Sequence, residues 1–323
     1  WLFNIYFTNQ LLTKIPKGIK EENMKRYLGF AKQCLMVITP MIASSILATP
    51  PSQAATLAFA QEGLSFTNFS ESFGIIDRQN QANTNASTFS EDATVLTLNQ
   101  QVQTDFTFTP PQAYTKVGLS LASGQGTSYL GTADTLGKIV GNFDIDAGEL
   151  FSFDFTAYLN LGTSIDDPLT ENARSIGDIS FLLFDTSDID PANISDLIAA
   201  VISGNQSIGI SPLDYFLLTG NVNTAGNDDF LAYQNSQNIS FLNEFQESDF
   251  VGNEELARAI INGSYKRSFE NKTNLTLVAV RKSQVKVAAP EPSTYLGSTL
   301  FFILAAIALK AKRRGNKPVN IMK

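Results

Sequence analysis

Residues Phe151, Phe153, Phe155, Ala157 and Leu159 are apolar, and Ser152, Asp154, Thr156 and Tyr158 separate them. This period of two puts one set of side chains on a single face of an extended strand. A face like that must be buried against a second layer. Thr94 to Thr109 alternates in two pieces. The apolar runs Ile179–Phe184 and Tyr215–Leu218 fit interior strands, and Leu275–Val287 reads as a last strand or hairpin. Gly, Asn, Asp, Ser and Pro cluster between these runs, as turns require. The 24 Phe suit pleated, half-buried surfaces. The expected body is mainly β, an antiparallel β-sandwich or jelly roll.

Two short helices are expected within it. Asp190 caps the first, Pro191 sits in its first turn, and Ile194, Leu197, Ile198, Val201 and Ile202 share one face before Gly204. Asn253 caps the second, which runs through Glu254, Glu255, Leu256, Ala259 and Ile260 to Gly263. The polar stretch Asn80–Ser90 is expected to be a loop.

The sole cysteine, Cys34, lies outside the body, so the body has no disulfide and no thiol nucleophile. Histidine is absent, which removes imidazole acid–base chemistry, Ser-His-Asp triads and His-bound metals. Between Ala55 and Ala289 there are 11 Lys and Arg against 28 Asp and Glu, a net charge of −17. Such a surface repels phosphate backbones, so no nucleic acid partner is expected. About 235 residues suffice for a core without staples.

The two ends are different in kind. Met24 is expected to be the start, with residues 1–23 an untranslated leader or an extension. Residues 24–54 read as a secretory signal: Lys25, Arg26 and Lys32, then the apolar run Cys34–Ala48, then Pro50 and Pro51. Ser52 and Ala54 supply small side chains at the −3 and −1 positions, so cleavage is expected after Ala54. A retained N-terminal anchor is the alternative. Cys34 lacks a lipobox, since Ala31-Lys32-Gln33 precedes it.

At the other end, Pro290, Glu291 and Pro292 precede an uncharged apolar stretch, 295–309. A basic tail, 310–323, follows, with Lys310, Lys312, Arg313 and Arg314 at its head. As a helix, 295–309 would be about 22 Å long against a hydrocarbon core of about 30 Å. Snorkelling lysines would help it span, with the basic end cytoplasmic. Segment 288–323 resembles the PEP-CTERM sorting segment of exported bacterial proteins. The resemblance covers about the last 35 residues and rests on the order Pro290-Glu291-Pro292, apolar helix, then Lys312, Arg313 and Arg314. The tail beyond Arg314 departs from the usual pattern. The resemblance implies an exosortase and the secretion machinery as partners, and extracellular polysaccharide as a partner of the body at 55–287. It also implies export, membrane anchoring with the body outside the cytoplasm, and release to the surface or medium after processing.

Within the body, acidic clusters are the only constellations that carry chemistry. Asp144, Asp146 and Glu149 surround Gly148, and Asp185, Asp188 and Asp190 form a second group. Calcium takes several hard oxygen ligands from such loops. The competing reading is solvated turn residues, since the first run lacks the distant Glu of a helix-loop-helix site. Asp166-Asp167 and Asp228-Asp229 are further acidic pairs. No catalytic residue and no other cofactor is expected. The expected role is therefore that of a structural surface or matrix protein. A carbohydrate- or calcium-binding module is the alternative, and a secreted hydrolase is the third reading.

Overall fold

The computed structural model describes residues 55–72, 74–89, 91–106, 113–190, 193–194, 199 and 211–289. These residues form twelve strands: β1 (Ala55–Thr67), β2 (Gly74–Thr88), β3 (Thr94–Phe106), β4 (Ala113–Gln125), β5 (Tyr129–Ile145), β6 (Leu150–Ser164), β7 (Asn172–Asp185), β8 (Asp214–Asn223), β9 (Phe230–Asn235), β10 (Ile239–Asp249), β11 (Glu254–Ser268) and β12 (Thr273–Ala289). They make two antiparallel six-stranded sheets, ordered β10-β11-β6-β1-β4-β3 and β2-β5-β12-β7-β8-β9. The sheets face each other as a β-sandwich, with β1 and β12 in the interior of their respective sheets.

The alternation at β6 is realised directly. Phe151, Phe153, Phe155, Ala157 and Leu159 are buried, and the intervening side chains are half-buried on the outer face. Their rings meet those of the opposite sheet. Phe155 packs 5.0 Å from Phe181 and 4.9 Å from Phe216, and Phe143 packs 4.6 Å from Phe151. Rings at these separations add edge and stacking attraction to the area they bury. This apolar half fills the space between β1, β6 and β11 on one side and β7 and β8 on the other.

Two expectations are corrected. Glu254–Ser268 is strand β11, where a helix was expected from Asn253 to Gly263. Its backbone bonds to β6 on one side and β10 on the other, and that two-sided ladder overrides helical spacing. Ala257, Ala259 and Ile261 face inwards, while Leu256 and Ile260 lie half-buried on the outer face. Asn80 to Thr88, expected as a loop, belongs to β2, whose backbone pairs with β5 from Gly74–Asn142 to Thr88–Tyr129. Being an edge strand, β2 leaves its Asn, Thr and Ser side chains in solvent, so polarity there does not oppose strand formation. Of the two readings of Leu275–Val287, the strand holds: it lies within β12, which continues to Ala289.

The helix expected over 190–204 falls mostly outside the described residues. Ile194 is described and buried, and packs with Val140, Phe184 and Val278 on the outer face of the second sheet.

Candidate functional site

The half of the sandwich towards β3 and β2 has a polar interior. Glu62 of β1 and Arg281 of β12 face each other across the sheets at 0% and 2% exposure, with Nη1 2.7 Å from Oε1. Thr135 Oγ1 donates to the same Glu62 oxygen at 2.6 Å. Ser283 shares hydrogen bonds with Thr135 at 2.7 Å and with Ser120 at 2.9 Å. Arg281 Nη2 donates to Gln101 Oε1 at 3.1 Å, and Lys116 Nζ to the Lys138 carbonyl at 3.2 Å. Burial pushes the Glu62 carboxyl above its ordinary range, opposed by the Arg281 charge and the Thr135 hydrogen bond.

Glycine makes room for this pair. A Cβ on Gly118, opposite Glu62, would overlap both Arg281 Nη1 and Glu62 Oε1. A Cβ on Gly137, opposite Arg281, would lie 2.8 Å from the guanidinium nitrogens. A carboxylate 2.6 Å from a hydroxyl has the spacing of a base and a nucleophile. Here Glu62, Thr135 and Ser283 are all sealed from solvent, so the cluster latches β1 to β12.

A second carboxylate also bridges the sheets. Asp214 of β8 accepts from Arg267 Nη1 at 2.8 Å and Tyr265 Oη at 3.0 Å, both on β11. Asn238 Nδ2 donates to its two oxygens at 3.0 and 3.1 Å. Burial and the Asp214 charge push the Tyr265 hydroxyl upwards. Sequence reasoning missed Glu62, Arg281 and Asp214. The available signal was a charge in the inward phase of a strand: Arg281 falls in step with Leu275, Leu277 and Ala279.

The acidic groups read as calcium ligands are all exposed. The fold does bring the two groups to one end, because β5 and β7 flank β12. Asp144 pairs with Asn274, and Asp185 with Leu275. The carboxylates of Asp146, Glu149 and Asp185 make local contacts. Glu149 Oε2 accepts the Asp146 amide at 3.2 Å, with Gly148 at φ 84° completing the turn. Lys272 Nζ lies 3.7 Å from Asp146 Oδ1. Asp185 Oδ1 accepts the Ser187 amide at 3.0 Å and hydroxyl at 2.6 Å. Asp188 and Asp190 follow in the next turn, where the Asn193 amide donates to the Asp190 carbonyl at 2.8 Å. Among the described residues, no three acidic side chains converge in a metal-binding geometry.

Asp166-Asp167 and Asp228-Asp229 lie at the opposite end. Hydrogen bonds from Thr170 and the Leu169 amide hold the Asp167 carboxyl below its usual range, and Asn223 does so for Asp228.

Ser52, Ala54, Cys34, Pro290, Glu291, Pro292, Lys312, Arg313 and Arg314 lie outside the described residues, as do the expected signal and C-terminal helices. The strands that adjoin them meet at one end of the sandwich. Ala289 pairs with Tyr129, whose hydroxyl donates to Thr56 Oγ1 at 2.5 Å. Among the described residues no helix is long and apolar enough to cross a membrane. No protein-family model matches the chain, and a search of curated proteins finds no relative.

Proposed function

We propose that this is an exported bacterial structural protein, sorted by an exosortase and tethered at the cell surface or released into an exopolysaccharide matrix. Its role on this reading is non-catalytic. The observation that carries it is the order Pro290-Glu291-Pro292, apolar 295–309, basic 310–314, paired with a signal-like segment at 24–54. The sandwich suits this role: one buried and one half-buried ion pair tie its sheets, and strands β1 and β12 both lie inside sheets. Fractionation of tagged protein from native cells tests it. Recovery in membrane and extracellular fractions, cleaved at one or both ends and dependent on an exosortase, is expected. Wholly cytosolic, uncleaved protein overturns it.

The rival reading is a carbohydrate-binding module. It is favoured by Tyr215 and Phe230, 38% and 43% exposed on the outer faces of β8 and β9, which offer aromatic platforms. Glycan-array binding that is lost in a Tyr215→Ala, Phe230→Ala double variant would select it.

A further inference from the structure

We propose that cleavage of the Ala54–Ala55 bond during export creates an N-terminal ammonium that the Asp166 carboxylate holds at the start of β1. The inference rests on the export reading and assigns Asp166 as the residue that receives the new terminus.

The Ala55 nitrogen already donates to Asp166 Oδ2 at 2.6 Å. Both partners are fixed. Ala55 is the first residue of β1 and pairs with Gln125 of β4, and the next residue, Thr56, accepts the buried Tyr129 hydroxyl. Asp166 sits on the β6–β7 turn, which is tied on both sides. The Ile165 amide donates to the Asn253 carbonyl at 2.9 Å. The Asp166 and Asp167 amides donate to Glu171 Oε2 at 2.8 and 3.1 Å, and Glu171 is itself buried. Ala55 is the first residue of β1, so cleavage after Ala54 leaves all twelve strands whole.

The chemistry balances simply. Hydrolysis breaks the bond from the Ala54 carbonyl carbon to the Ala55 nitrogen. Water gives its hydroxyl to that carbon and a proton to the nitrogen, which takes one more proton from solvent. A neutral amide donor thus becomes a cation without moving. Its hydrogen bond to Asp166 becomes charge-assisted, and such bonds are shorter and stronger than neutral ones. Maturation would then secure the strand end that the removed segment had preceded.

The full chain is purified from exporting cells, its N-terminus is determined by mass spectrometry, and the α-amine is labelled with an amine-reactive ester at pH 7.5. An exposed ion pair of ordinary strength slows labelling about two- to fivefold relative to Asp166→Asn. A start at Ala55 with that ratio supports the inference. Equal rates, or a start at another residue, overturn it and leave export standing. Uncleaved cytosolic protein overturns both. Should Asp166→Asn fail to fold, the wild-type labelling rate in buffer is compared with that in urea, where the same slowing is expected on folding and its absence is fatal.

Discussion

Arg281 of β12 donates to Glu62 of β1 at 2.7 Å, across the interior and 219 residues apart in sequence. Each lies on an interior strand of its own sheet, so this pair fixes how the two sheets face one another. It sits where the Phe-rich core gives way to Thr, Ser and Gln, and there the sheets are joined by directed bonds.

Arg281→Ala should therefore cost about 3–5 kcal/mol, because it strands a buried carboxylate. The double variant Glu62→Gln, Arg281→Met should lose less than the single one, since no charge is left alone inside. Urea unfolding of the three proteins checks the order.

The pH dependence follows from the raised Glu62 carboxyl. The folded state keeps this proton to higher pH than the unfolded chain, whose value is 4.5. The contribution is thus fully present below pH 4.5 and is lost as pH rises towards the folded value. Glu62→Gln should remove that falling component. Other carboxyls act in the opposite sense, Asp167 and Asp228 among them, so the difference between wild type and variant is the quantity to measure.

Gly118→Ala should destabilise by about 1–3 kcal/mol or more, because its methyl group collides with both members of the ion pair. Gly63→Ala is the control, one residue from Glu62. Its Cβ would meet nothing nearer than 3.7 Å, so the change should be neutral or slightly stabilising. Thermal unfolding of the two variants distinguishes a packing clash from a general intolerance of alanine.

Calcium at millimolar concentration should give no stabilisation beyond that of matched ionic strength. Asp146 and Glu149 are engaged with their own turn and Lys272, and Asp185 with Ser187. Calorimetry with and without Asp185→Asn checks this. Heat that disappears in the variant would place a cation at that end of the sandwich.

The class of the body was legible in local pattern. Phe151 to Leu159 alternate because one face of β6 is wet or half-buried and the other is not, and a single strand carries that information in its own residues. Strand identity failed where the local signal was ambiguous. β2 is polar throughout its exposed edge, and β11 mimics helical spacing with Leu256, Ala259 and Ile260. Both are strands because neighbours complete their backbone hydrogen bonds, and a neighbour's offer is not written in the segment that receives it.

By itself, then, the sequence determined a β body, its negative charge and the exclusion of thiol and imidazole chemistry, since these are properties of residues and short windows. Only the tertiary structure decided which charges meet. Glu62 finds Arg281, and Arg267 finds Asp214, because strand order in two sheets brings distant residues face to face. The acidic loops at 144–149 and 185–190 share an end for the same reason, with β12 lying between the strands that carry them.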